Sequence, residues 1–309
     1  TQLSTIPSNI KTEDLISFNT KLRALAMNRD EAGVKQLLDS IYGTLLQRDA
    51  AVYAEDFNTG FVAKLHNDLK IDNDRFTMRY QNFVLRFMEP VDLFKNLVVA
   101  FISANTSPLM AGVNIVSPED GETSMKDYWL HMVMFNYCHS QFPAVKYSMH
   151  AGELTLGLVQ PEDLTWHIRD AVHVAGAYRI GHGVDMAYEE KSYDLLRFMA
   201  KNSIAIEINL VSNEFILKVK DSRHPISLYK EFGVPIVIST DDAGILRTNM
   251  TEQYVLLAKR YKDVSYATIK QYVYNSLYYS FIKDEGVKKK LIENLDLRFK
   301  NFEANFTSK

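Results

Sequence analysis

Six short apolar runs, each followed by an amphipathic segment of helical length, restrict the folds open to this chain more than any other feature. The runs are Phe76–Arg86, Gly112–Val116, Val145–His150, Arg179–His182, Ile204–Asn209 and Val234–Thr240. Regular alternation of strand and helix predicts an α/β fold with a parallel sheet. No Gly-rich phosphate loop follows any of the runs, which favours a parallel barrel over a doubly wound sheet. The run Ile204–Asn209 supplies a direction. Ala205, Glu207 and Asn209 share one face and Ile204, Ile206 and Ile208 the other. Polarity grows toward the C-terminal end of that face, as it does in a barrel whose working mouth lies at the ends of its strands.

Residues 1–75 read as a helical lead-in. Leu15, Phe18, Leu22 and Leu25 recur at helical spacing, as do Val34, Leu37, Leu38, Ile41 and Leu45. A third helical pattern runs from Asn58 to Leu69, and Asp14 and Asn28–Asp30 are cap or turn positions. The strand and helix repeats occupy 76–285 and a helical tail 286–309, all read as one domain of 309 residues. A formal net charge of −3, with 35 basic residues scattered and no dense block, gives no electrostatic reason to expect nucleic acid or a membrane surface as partner. The single cysteine, Cys138, excludes an internal disulfide and a Cys-rich zinc site, so a metal here needs His and carboxylate ligands. No run approaches membrane-spanning length, and Thr1–Ser8 lacks the pattern of a signal peptide. The sequence opens on Thr1 rather than Met, leaving room for an upstream segment. Both a cytoplasmic and an exported protein therefore stay open.

Polar groups gather where the apolar runs end. Tyr147–Glu153 delivers His150 at the end of a run, then Ala-Gly, then Glu153. Arg179–Gly183 places His182 between two glycines, and Val234–Asp242 ends in Asp241 and Asp242. His150 and Asp241 are candidate metal ligands, and Glu153, His182 and Asp242 are candidates for proton transfer and substrate orientation. Zinc held by such groups makes water nucleophilic near neutral pH, and a carboxylic acid can protonate the atom that accepts electrons as hydroxide adds. The adjacent Asp241 and Asp242 diverge in direction, so one can face a metal while the other faces substrate. Without a site around them the same pair would read as a helix cap.

Met149–Glu153, Arg179–Gly183 and Ser239–Asp242 resemble, in order, the Met-His-Ala-Gly-Glu, Gly-His-Gly and Ser/Asn-Thr-Asp-Asp motifs of the adenosine deaminase family. More specifically, the chain is similar to the adenosine deaminase-like branch related to the adenosine deaminase growth factors. Val113–Gly121, His224-Pro225 before Gly233-Val234-Pro235, and Asn275–Phe281 support the likeness, which covers about residues 76–285. The resemblance implies a TIM-type (β/α)8 barrel of the metal-dependent hydrolase type. It implies one catalytic Zn2+ and hydrolytic deamination of adenosine or 2'-deoxyadenosine to the inosine product and ammonia. Carried over by residue, it makes His150 and Asp241 zinc ligands and Glu153 the acid that protonates purine N1. His182 becomes the group that positions and deprotonates the water, and Asp242 the partner of N7. The family also places a backbone glycine near the purine after its fourth strand, and the matching position here is Ser117.

The family's other two zinc ligands come from a His-x-His pair at the end of its first strand, and no such pair occurs in this sequence. The nearest string, Leu65-His66-Asn67-Asp68-Leu69, lies in a helical pattern and reads as a helical histidine. The six runs match the family's third to eighth strands. The expectation is therefore that this chain is the C-terminal part of a longer polypeptide, with an N-terminal fragment docked as its partner and supplying the missing ligands. Two other readings remain at this stage: a noncatalytic nucleoside-binding or signalling protein on the same scaffold, and a deaminase of adenine or a modified adenosine. Glu207 and Asn209 are either supports of the site or fillers of the barrel interior. His131, His139, His167, His173 and His224 read as structural, and Leu154–Asp163 as a wall beside Glu153.

Overall fold

In the computed structural model, which describes residues 11–43, 47–74 and 76–307, the chain falls into two units, Thr1–Leu195 and Leu196–Lys309. The first begins with the helical lead-in: α1 (Thr12–Met27), α2 (Glu31–Ile41), α3 (Gln47–Asp56) and α4 (Lys64–Asp68). A π-helical stretch, Phe57–Ala63, joins the last two. Helix α2 starts where the Asp30 side chain accepts a hydrogen bond from the Gly33 amide at 2.9 Å, satisfying one of the free donors of the first turn. Its Val34, Leu38 and Ile41 are buried along one stripe, as their spacing predicts. Leu45, the last member of that pattern, lies outside the described residues. His66 sits in α4, buried, with Nδ1 3.1 Å from the Tyr80 hydroxyl and Nε2 3.5 Å from Asp72.

Strands and helices then alternate through β1 (Tyr80–Leu85), α5 (Pro90–Thr106), β2 (Met110–Val116), α6 (Glu122–Gln141), β3 (Ser148–Ala151), the short α7 (His167–Asp170) and β4 (Arg179–His182). β1 pairs with β2 in parallel, β3 pairs with β4 in parallel, and a parallel bridge from Val113 to Tyr147 joins β2 to the start of β3. Pro90 opens α5, where its missing N–H costs nothing. Apart from Asp92, this helix is buried from Pro90 through Ala104 and apolar almost all round, which marks it as interior. Phe101 of α5, Phe135 of α6 and Tyr147 pack with ring centroids 5.5–6.0 Å apart and form the aromatic centre of this core. Arg23 ties the lead-in down by donating to Asp127 of α6 and to Glu89 just before α5, at 2.6 and 2.8 Å.

Helix α8 (Ser192–Lys201) carries the chain onward. The second unit holds β5 (Ala205–Ile208), α9 (Leu210–Leu217), α10 (Ile226–Glu231), β6 (Ile236–Ile238), α11 (Ala243–Leu246), α12 (Met250–Arg260), α13 (Tyr266–Tyr278) and α14 (Glu285–Thr307). β5 and β6 are parallel, with Ile206 opposite Ile236 and Ile208 opposite Ile238. Asn275 of α13 donates to the Ile236 carbonyl at 2.8 Å, and α14 lies on α13 through Tyr274 against Phe299 and Lys270 to Glu303. Among the described residues no helix is long and apolar enough to cross a membrane.

Each of the six apolar runs overlaps a strand; β1, β3, β5 and β6 are shorter than their runs, β4 matches its run, and β2 begins two residues before its run, at Met110. Phe76 is spent on an antiparallel bridge with Asn73, so the first ladder starts at Tyr80. Pro235 has no N–H to donate, and β6 begins after it. Because Phe101 is fully buried at the aromatic centre, Phe101→Ala should cost about 3–5 kcal/mol, read as a lower urea midpoint for the first unit.

Candidate active site

The register of β3 and β4 sets His150 opposite Gly181 and Ala151 opposite His182. Both imidazoles thus emerge at the C-terminal ends of neighbouring parallel strands, with ring centroids 4.8 Å apart. His182 is buried and His150 half-buried, its Nδ1 3.2 Å from Oδ1 of Asn114 on β2. Glu153 follows β3 and brings Oε1 to 3.2 Å from Nδ1 of His182. A carboxyl group, a buried imidazole and a second imidazole therefore share one corner of the first unit.

The backbone between them explains the Ala-Gly-Glu spacing. Gly152 has φ +75°, and a Cβ there would lie 2.2 Å from Oδ1 of Asp185 and 2.8 Å from Cδ1 of Ile168. Only glycine fits this turn. The Gly183 amide donates to the Ala151 carbonyl at 3.0 Å and the Val184 amide to the Gly152 carbonyl at 2.7 Å, tying the two strand ends together. His182 itself has φ +71°, and Ser117, just after β2, has φ +89°. Left-handed backbone at non-glycine residues is uncommon and gathers at functional sites. At Ser117 the conformation suited to glycine is kept although the residue is serine.

Behind the turn lies a cluster that the sequence reading passed over. Glu119, in the loop after β2, is 2% exposed. Its carboxylate accepts from the amides of Gly152 and Glu153 at 3.0 and 2.9 Å and is hydrogen-bonded to Nδ1 of His167. Fully buried Arg86, at the end of β1, places Nη1 3.8 Å from Glu119 and donates from Nη2 to the His150 carbonyl at 2.7 Å. Burial pushes the Glu119 carboxyl up, but His167, Arg86 and the Gly152 amide outweigh it and hold it at about 2. His167, read as structural, is thus a partner of this carboxylate.

Two more carboxyls are buried nearby. Burial, with Glu189 and Glu119 close, pushes Asp185 well above the carboxylate range. Burial also drives Glu189 up to about 8, although the amides of Ile168 and Arg169 donate to it. Two remaining histidines are buried: burial holds His131 in α6 down at about 3 and His224 down at about 4, the latter 3.1 Å from Oδ1 of Asn213.

In the second unit, Asp241 and Asp242 follow β6. Asp241 has φ +52°, and its amide donates to Oγ of Ser239 at 3.4 Å. Asp242 stands at the N-cap of α11, yet its side chain makes no capping bond, so capping does not account for it. Partial desolvation and the neighbouring Asp241 push the Asp242 carboxyl up. Glu207 lies on β5 and is half-buried, and the buried Asn209 directly follows that strand.

A family model for adenosine deaminase matches residues 77–298, and the chain belongs to that family. An adenosine deaminase from Shewanella woodyi is 31% identical over 119 residues, which is 38% of this chain and 35% of that protein. The chain thus matches about a third of the length of that relative. Among solved structures, an adenine deaminase from Arthrobacter aurescens superposes with a TM-score of 0.60 at 16% identity, covering 93% of this chain and 89% of the other. The arabidopsis protein ADAL, solved in complex with IMP, gives 0.58 at 18% identity over 93% and 87%. These likenesses establish the fold: the parallel strands and intervening helices are those of a TIM-type deaminase barrel.

Gly152→Ala should cost about 1–2 kcal/mol from left-handed backbone alone, before the clash with Asp185, and lower the thermal midpoint. Glu189 gives a pH signature. Its folded pKa of about 8 lies above the ordinary 4.5, so its contribution to stability is complete below 4.5 and is lost as pH rises through 8. Glu189→Gln should flatten that decline, seen in urea midpoints measured between about pH 4 and pH 9.

Proposed function

We propose that this chain is a zinc-dependent aminohydrolase that converts adenosine or 2'-deoxyadenosine to the inosine product and ammonia. The observation that carries the reading is the 3.2 Å contact between Glu153 and His182, beside His150 at the ends of adjacent strands. Imidazole and carboxylate are the donor types a zinc ion takes, and His150 and Asp241 are the residues proposed to hold it. When bound, zinc supplies a Lewis acid that makes water nucleophilic near neutral pH.

Each remaining group has a task fitted to its surroundings. His182, buried with Nδ1 3.2 Å from Oε1 of Glu153, is positioned to take a proton from water as oxygen adds at C6. Glu153 delivers a proton to N1, so that the ring nitrogen accepts the displaced electron pair. Collapse of the tetrahedral carbon to a C6 carbonyl breaks the C6–N bond: the amine leaves as ammonia with the proton that His182 took from water, and the hydroxyl proton returns to Glu153. N7 of a purine offers only a lone pair, so Asp242 must donate from a protonated carboxyl. Ser117, with its glycine-like backbone, is proposed to lie at the purine edge.

The family resemblance calls for two zinc ligands beyond His150 and Asp241, both imidazoles of a His-x-His pair. Since the sequence contains no His-x-His, we propose that an N-terminal fragment of the same polypeptide provides the remaining imidazoles. That same absence favours a second reading, a nucleoside-binding protein without catalysis. Elemental analysis of the purified, folded protein separates the two: about one zinc per chain with ammonia release from adenosine is expected, and a metal-free chain that binds nucleoside unchanged supports the second. Glu153→Gln should keep its zinc and lose turnover by at least about a hundredfold. Nearly normal turnover would remove Glu153 from its role.

A further inference from the structure

We propose that Glu119 is a positioning residue for the proton-transfer group, clamping the turn that carries Glu153 from behind; this rests on the aminohydrolase reading above. Four contacts converge on its carboxylate, from three separate parts of the chain. The amides of Gly152 and Glu153 donate to its two oxygens, His167 binds Oε1, and Arg86 approaches Oε2. Arg86 also donates to the carbonyl of His150, so one buried ion pair grips both ends of the segment from His150 to Glu153.

The geometry makes the clamp specific to this turn. With Gly152 at φ +75°, its amide and the next one point the same way, into a single carboxylate. An ionised carboxylate can accept from two amides at once and still bind an imidazole, whereas an amide side chain has only one acceptor oxygen. The opposite edge of the turn is held by Gly183 and Val184, which follow His182. Glu119 therefore fixes Glu153 relative to His182 through the main chain of the turn. Losing the clamp frees the turn, and displacement of a proton-transfer group by a fraction of an ångström is enough to slow a reaction while leaving substrate binding in place.

The test compares Glu119→Gln and Glu119→Asp with the parent chain, by deuterium uptake across residues 151–154 and by steady-state deamination of adenosine. Glu119→Asp keeps the charge facing Arg86 and His167, and so covers the case in which the neutral variant does not fold. Both variants should exchange the amides of Gly152 and Glu153 faster. Their kcat should fall by about tenfold or more, with KM within about twofold and zinc content unchanged. Adding Glu119→Gln to Glu153→Gln should cause no further loss, because the clamp acts through Glu153. Unchanged exchange, unchanged kcat, or a loss that multiplies in the double variant would overturn the assignment. A parent chain that deaminates nothing sinks the functional reading instead, and the exchange data then decide by themselves whether the clamp exists.

Discussion

The parallel ladder between β3 and β4 is the constraint on which the site in the first unit depends. Its register alone decides that His150 and His182 leave the sheet at the same end, with Ala151 opposite His182. A slip of one residue would turn one imidazole to the opposite face and separate the pair. The ladder is short, and it is reinforced beyond its last pair by the bonds from Gly183 and Val184 to the Ala151 and Gly152 carbonyls. Strand pairing and site geometry are thus one set of hydrogen bonds.

Buried charge is distributed unevenly around that ladder. Glu119 is buried and ionised because a guanidinium, an imidazole and backbone amides all face it. Asp185 and Glu189, also buried, lack comparable compensation and are driven toward their neutral forms. Desolvation is large for all three, and what separates them is the number of donors within reach. The same rule applies on a smaller scale to Asp242, whose neighbour Asp241 adds a like charge rather than an opposite one.

The fold was largely legible because parallel strands buried on both faces, as β2 to β6 mostly are, read as apolar runs, and each of the six runs overlaps a strand. Strand ends were less legible: a Pro at 235 and a local turn at Asn73 and Phe76 trim ladders that hydrophobicity alone would extend. His150, Glu153 and His182 could be found because they stand at run ends beside glycines, and the contacts among them follow from β3 and β4 being neighbours. Glu119 could not. An acid in a Ser-Pro-Glu-Asp-Gly loop looks like solvent-exposed turn chemistry, and its partners lie 33 to 48 residues away along the chain. The hints were that Arg86 also closes an apolar run, where an unpaired cation would be costly, and that Glu119 lies in the stretch Val113–Gly121 that shares the family likeness. The π-helical stretch at Phe57–Ala63 had no signal either, since its composition differs little from that of an ordinary helix.

The parallel pairing also bears on how the chain reaches this state. A parallel pair cannot close through a tight hairpin; each ladder must wait for its crossover helix to be placed, so chain entropy is lost before most of the stabilising contacts form. Until β2 arrives, β1 presents an unpaired edge with Phe83 already facing outward, and Phe83 stays half exposed afterwards. An apolar edge waiting for its partner during synthesis is open to mispairing, and helper proteins that shield such edges act there.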